Sequence, residues 1–267
     1  MSTEETTMMS RREVLKLRIA ENFEAMMDTV ECIMDPFNPI KALTVTGASG
    51  IGKSYNLIKR LEEAHDTGFC NFHYLNGKCT GLGLYQALYN ARNLGDVLLM
   101  DDVDVFDTED KLNLLKASLE SDDKRIITYM SSSRVLADNG IPTQFEFSGK
   151  VIFITNKDLV KISQANSALS PHVNALMTRG AFIDLEIHDN ESIMVHIENI
   201  MRTTNIVKGH GISKEGSDNI LNFMLKNCAN LRLPSLRLPV QLAGLYLQFP
   251  EKWEQHATRM FVTSQKV

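Results

Sequence analysis

Gly47-Ala48-Ser49-Gly50-Ile51-Gly52-Lys53-Ser54 spells G-x-x-x-x-G-K-[ST], a spacing whose chemistry is phosphate binding. Glycines at 47, 50 and 52 let backbone N–H groups close on phosphate oxygens with no Cβ in the way. Lys53 brings a cation to the β- and γ-phosphates, and the Ser54 hydroxyl offers a ligand to Mg²⁺. A helix beginning here adds the partial positive charge of its N-terminus. With Ala48, Ser49 and Ile51 completing the loop, residues 47–54 read as a nucleoside triphosphate site.

A second group lies downstream. Val97-Leu98-Leu99-Met100 is a continuous apolar run that ends in Asp101-Asp102. Paired acids after a strand are often solvated turn residues. Coupled to the glycine loop upstream, they match Walker B, the second nucleotide motif of P-loop ATPases. Asp101 would hold Mg²⁺, directly or through water, and Asp102 would polarise the attacking water. The acid at Asp104 reads as a helix-cap or turn residue.

These groups must be positioned by regular elements. Ala42-Leu43-Thr44-Val45-Thr46 reads as a buried strand before the loop, and residues 53–64 read as a helix after it. Further strands are expected over Asn71–Leu75, Val97–Met100, Val151–Ile154 and Phe182–Ile187. Between them, Gly81 and Gly83 introduce a helix with Leu84, Tyr85, Leu88 and Tyr89 on one face, and another helix runs from about Lys111 to Leu119. Strands alternating with helices imply a parallel sheet with helices on both faces. Upstream, Leu15, Ile19, Phe23, Met26 and Val30 form a helical stripe that ends before Pro36 and Pro39.

Beyond Asp189 the texture becomes helical, with Ile193, Ile197, Ile200 and Met201 on one face and Ile220, Phe223 and Met224 on another. The expected fold class is therefore α/β, a P-loop NTPase parallel sheet flanked by helices with a small C-terminal all-helical lid domain. The expected division is an N-terminal helix and lead-in over 1–35, a nucleotide-binding core over 36–188, and a lid over 189–267. An insert over about 121–150 contains Arg125-Ile126-Ile127-Thr128-Tyr129 and Gln144-Phe145-Glu146-Phe147, whose alternation suggests an added hairpin or sheet extension. Lys124, Arg125, Arg134 and Lys150 give it local positive charge, equally readable as the solvated charges of an ordinary hairpin.

Composition is that of a globular chain. Of 267 residues, 43% are hydrophobic and 23% charged, enough to bury a core. A net charge of −5 without a long basic run argues against a broadly cationic nucleic-acid-coating surface. The four cysteines show neither metal-ligand spacing nor a disulfide framework, which suits reduced residues of an intracellular protein. The N-terminus is acidic and polar, with residues 1–10 expected to fray, and no segment approaches the ~20 apolar residues of a membrane span. A cytoplasmic location with no membrane partner is expected.

The chain resembles the AAA+ ATPases over roughly residues 20–247. The glycine loop, the strand ending in Asp101-Asp102, the strand ending in Asn156 and the C-terminal helices carry the resemblance. Gly77–Arg92, Asp101–Lys116 and Pro142–Asn156 look most like AAA+ ATPases encoded by bacteriophages, with initiator-like and clamp-loader-like features. The resemblance implies ATP as the nucleotide and an ATPase reaction, ATP plus water to ADP plus phosphate. It makes Asn156 the sensor 1 residue between γ-phosphate and water, although Asn156-Lys157-Asp158 is also readable as a plain turn. That tripeptide approaches a guanine-reading pattern but lacks its spacer.

Arg179, in Ala175-Leu176-Met177-Thr178-Arg179-Gly180, is similar to the clamp-loader arginine that reaches the γ-phosphate on an adjacent subunit. Arg237 is the candidate for sensor 2, with Arg232 the alternative; Pro239 allows Arg237 only an early-turn or pre-helix place. The family commonly carries glutamate where Asp102 stands, one methylene longer. The resemblance thus implies a homo-oligomeric motor or loader acting in DNA replication or processing, with DNA or a DNA-processing protein as partner. A slowly hydrolysing nucleotide-dependent switch is the rival reading. A small-molecule kinase is the other, disfavoured because the helical region follows the sheet.

Overall fold

Runs of β-branched and apolar residues that are too short for a helix bury both faces when they pair as central parallel strands. A computed structural model, which describes residues 9–106, 108–120, 122, 124–130 and 134–263, contains a sheet of five parallel strands, three of them central. They are β1 (Ala42–Thr46), β2 (Asn71–Asn76), β3 (Asp96–Asp101), β6 (Lys150–Thr155) and β7 (Ala181–Asp184). All pair in parallel, in the order β2-β3-β6-β1-β7. The three inner strands are buried along their whole length, whereas β2, at one edge, is half open. Residues 1–8, for which a frayed polar end was expected, lie outside the described residues.

The chain divides into two compact units. One comprises Asn22–Gly47 and Lys53–Leu185 and contains the sheet with its flanking helices. These are α2 (Lys53–Asp66), α3 (Gly81–Asn90), α4 (Glu109–Ser118), α5 (Arg134–Asp138), α6 (Leu159–Gln164) and α7 (Ser170–Thr178). α3 starts where expected, capped by Thr80, whose Oγ1 accepts from Gly83 N at 3.0 Å. The cap of α4 is at Thr108, so Asp104 is a turn residue rather than a cap. Leu84, Tyr85, Leu88, Leu112 and Leu115 are buried against the sheet residues Leu98, Met100 and Phe153. Each side chain so buried contributes about 1.5–3 kcal/mol of transfer free energy.

The insert forms its own two-stranded antiparallel sheet, β4 (Arg125–Thr128) with β5 (Gln144–Phe147), instead of extending the parallel one. Strict alternation puts Ile127, Phe145 and Phe147 inside. The buried ring of Tyr85 packs 5.1 Å from Phe145 and 5.4 Å from Tyr129, and its hydroxyl donates to Pro142 O at 2.7 Å. Five residues within the expected insert, 121, 123 and 131–133, lie outside the described residues.

Two of the four cations expected on the insert point inward. Arg125 donates to Ser118 O at 2.7 Å and Gly149 O at 2.6 Å, and burial pushes its pKa down to about 10. Lys150 donates to Cys32 O, Asp35 O and Asn38 O, and burial lowers its pKa too. One carbonyl in the last turn of α1 (Arg11–Met34) and two in the segment just past it thereby gain a cation, the sign that a helix C-terminus favours.

The other unit gathers the described residues up to Glu21, Ala48–Gly52 and the chain from Glu186 onward. Its helices are α8 (Asn190–Thr203), α9 (Lys214–Lys226), α10 (Arg237–Gln248) and α11 (Trp253–Phe261). α8 begins with a capping box, in which Ser192 N donates to Asp189 Oδ1 at 2.7 Å. Ile193, Ile197 and Met201 of α8 and Ile220, Phe223 and Met224 of α9 are buried, as their spacing predicts. The Trp253 ring packs 5.3 Å from Phe223 and 5.5 Å from Tyr246. The last strand is shorter than expected. It stops at Asp184, and Glu186 two residues later takes φ +54, which no strand continues through.

The four cysteines carry free thiols. Among the described residues no helix is long and apolar enough to cross a membrane.

Candidate functional site

Parallel pairing levels the strand ends. Asn76 lies opposite Asp101, Asp101 opposite Ile154, and Thr46 opposite Thr155. The carboxyl ends of β1, β2, β3 and β6 therefore form one rim, where open α/β sheets take their ligands.

Lys53, the first residue of α2, is buried, and its ammonium donates to Gly47 O at 2.7 Å and Asn156 Oδ1 at 2.8 Å. Burial pushes its pKa down to about 8, against the opposing pull of Asp102 and Asp101. The adjacent Ser54 Oγ donates to Asp101 Oδ1 at 2.8 Å. Asp101 is 6% exposed at the end of β3, so its carboxylate faces a defined set of partners. Asp102 is exposed and takes φ +50, a left-handed conformation that a non-glycine residue adopts at some cost. Its backbone N–H donates to Ile154 O at 3.2 Å, fixing this turn to the neighbouring strand. Asn156, just past β6, donates its side-chain amide to both Asp102 oxygens at 2.6 Å. Five residues expected at the site thus fall into two hydrogen-bonded groups at the rim, Lys53–Asn156–Asp102 and Ser54–Asp101.

The glycine loop between β1 and α2 has its own anchorage. Gly50 and Gly52 take φ +70 and +96, open to glycine without strain. Within the helical unit, Ala48 N donates to Ile187 O at 2.8 Å and Leu236 N donates to Gly50 O at 2.8 Å. A Cβ on Gly50 would stand 2.8 Å from Ser235 Cβ. His196, buried on α8, donates from Nε2 to Ile51 O at 2.9 Å, and burial lowers its pKa.

The two arginines have other surroundings of their own. Arg179 caps the C-terminal end of α7 and pairs through Nε with Glu120 Oε2 at 3.0 Å, while its buried Nη1 has no hydrogen-bond partner among the described residues. Arg237 is the exposed first residue of α10, with Pro239 in the first turn where an absent N–H costs nothing. It directly follows Leu236, which bonds the glycine loop. Arg232 instead donates its backbone N–H to Phe261 O at 2.9 Å.

Three contacts escape sequence reading: Glu120 on Arg179, His196 on Ile51, and Tyr74, whose phenol donates to Asp101 Oδ2 at 3.1 Å. A polar residue breaking an apolar helical stripe is a signal for His196. Tyr74 and Glu120 give none, because their partners depend on strand pairing and helix packing.

The donor chemistry suits a hard divalent cation. A hydroxyl and a carboxylate oxygen 2.8 Å apart, Ser54 Oγ and Asp101 Oδ1, are ligands of the type that Mg²⁺ prefers.

No protein-family model matches the chain. It is 39% identical over 246 residues to an uncharacterized 36.7 kDa protein from the nrdC–mobD intergenic region of enterobacteria phage T4, covering 92% of this chain and 75% of that protein. Among solved structures it is similar to a DNA replication initiation factor, with TM-score 0.50, 12% identity and 90% of this chain covered. It spans 64% of that structure's chain, just under two thirds. It is also similar to AMPPCP-bound DnaA from Aquifex aeolicus, at 14% identity and TM-score 0.47, over 89% of this chain and 64% of that one. The parallel five-stranded sheet flanked by helices, with helices after it, is the α/β P-loop NTPase fold class that the sequence led us to expect, and it is the fold of that initiation factor.

Proposed function

This chain belongs to the family of the 36.7 kDa phage T4 protein, and from that premise we propose that it is an ATPase working as a homo-oligomer in DNA replication or processing. The observation that carries the reading is the pair of groups Lys53–Asn156–Asp102 and Ser54–Asp101 at the sheet rim. In them a cation, a hydroxyl, two carboxylates and an amide meet at the end of the glycine loop. The likeness in fold to an initiation factor is what suggests the DNA-directed part.

In this reading residues 47–54 wrap the triphosphate, and the Lys53 ammonium moves from Gly47 O and Asn156 Oδ1 onto phosphate oxygens. Ser54 and Asp101 would hold Mg²⁺, which supplies charge neutralisation on the β- and γ-phosphate oxygens. Asp102 accepts a proton from the attacking water, and Asn156 donates to the γ-phosphate while orienting that water. Arg179 leaves Glu120 to reach the γ-phosphate of a neighbouring copy, and Arg237 senses its loss from the first turn of α10.

A slower, switch-like protein is the second reading, and a specific contact favours it. Both Asp102 oxygens accept from Asn156, and hydrogen bonds to the charged carboxylate make it a weaker base for the attacking water. Sizing the protein with and without non-hydrolysable ATP, alongside phosphate release by the parent and by Lys53→Ala, tests the proposal. ATP-dependent assembly with turnover that Lys53→Ala abolishes supports the ATPase. Tight binding with negligible turnover supports the switch. Absence of Mg-ATP binding overturns both.

A further inference from the structure

Asp101 is held from two sides. Ser54 Oγ donates to Oδ1 at 2.8 Å and the Tyr74 phenol donates to Oδ2 at 3.1 Å. Tyr74 comes from β2, where it lies two residues before Asn76, the residue opposite Asp101 in the parallel register. Alternation along a strand turns Tyr74 and Asn76 to the same side. Asn76 Nδ2 accordingly donates to the Tyr74 oxygen at 2.9 Å. The phenol thus accepts from Asn76 and spends its single proton on Asp101. Core packing does not require a phenol here, since Tyr74 is 45% exposed on the edge strand of the sheet.

We propose that Tyr74, oriented by Asn76, is a positioning residue for the metal ligand Asp101. A carboxylate left free can rotate and present either oxygen, or both. A donor fixed on Oδ2 removes that freedom and leaves Oδ1, beside Ser54 Oγ, as the oxygen offered to Mg²⁺. Hydrogen bonds of this kind behind a ligand commonly govern metal affinity by about 10–100-fold. The inference rests on the nucleotide-site reading above and names a residue that the glycine loop and Walker B patterns do not contain.

Tyr74→Phe keeps the ring and its packing 6.2 Å from Phe72 and deletes only the hydroxyl. The experiment is calorimetric titration of ATP into the full chain, parent and Tyr74→Phe, in excess Mg²⁺ and in EDTA. The expected result is that the parent gains affinity with Mg²⁺ and that Tyr74→Phe loses about tenfold of that gain. Its affinity in EDTA should match the parent's. An unchanged Mg²⁺ gain in Tyr74→Phe overturns the role of Tyr74 and leaves the nucleotide site standing. Equal losses in both buffers mean a merely structural hydroxyl and overturn it as well. A parent that binds no ATP in either buffer overturns the nucleotide reading itself.

Discussion

Asn156 spans Lys53 and Asp102 with one amide: its carbonyl accepts from the ammonium at 2.8 Å and its NH₂ reaches both carboxylate oxygens at 2.6 Å. The cation that would meet phosphate and the carboxylate that would meet water are thus set by a single side chain. Asn156→Ala should lower turnover about 10²–10³-fold, the cost of deleting a donor aimed at developing charge. ATP affinity should change only a few-fold. Phosphate release under saturating ATP, read beside a binding isotherm, checks this; near-parental turnover would remove Asn156 from the reaction.

Lys53 sets a pH limit on binding. With its pKa lowered to about 8 by burial, the free protein loses this cation as pH rises through that value. ATP affinity should therefore hold between pH 7 and 8 and fall by up to about tenfold for the next unit. Titrations at pH 7, 8 and 9 in one salt concentration read the effect. A flat profile would mean that Lys53 keeps its proton throughout.

Gly50→Ala should destabilise the fold by about 1–3 kcal/mol, through a left-handed backbone and a Cβ 2.8 Å from Ser235 Cβ. A lowered melting temperature without ligand, together with a smaller ATP-induced rise, is the expected pair of results. A variant that melts with the parent would show that loop and Ser235 separate easily.

His196 gives an acid-side test. Burial lowers its folded pKa below 6.5, so the unfolded chain takes up the proton first and stability falls as pH drops below about 6.5. His196→Gln, neutral at every pH and still a donor, should flatten that part of the stability profile. Chemical denaturation at pH 5.5 and 7 would show it, and parallel profiles would assign the acid sensitivity elsewhere.

Arg179→Ala should keep nucleotide-dependent assembly and lose turnover by about 10³-fold or more, as removal of a transition-state cation does. Full turnover in that variant would return Arg179 to an ordinary partner of Glu120.

The parallel sheet was legible because period and length suffice: four-residue apolar runs such as Val97–Met100 and Val151–Ile154 have few other homes. The glycine loop and Asp101-Asp102 were legible because their spacing is itself the chemistry. Tyr74 was not, since a phenol two residues before a strand's end says nothing until β2 takes its register beside β3. Arg125 and Lys150 were misleading for a related reason. Their charge suggested solvent, yet each turns inward onto backbone carbonyls, Arg125 onto Ser118 O and Gly149 O and Lys150 onto Asp35 O. The end of the last strand depended on one backbone angle, at Glu186, which side-chain pattern does not encode.

Ala48–Gly52 is fastened to Ile187, His196 and Leu236, so these five residues travel with the C-terminal helices and not as a free flap. Any ligand that reshapes their peptide planes must strain or break those same bonds. A change in the loop would then be passed first to Ile187, His196 and Leu236.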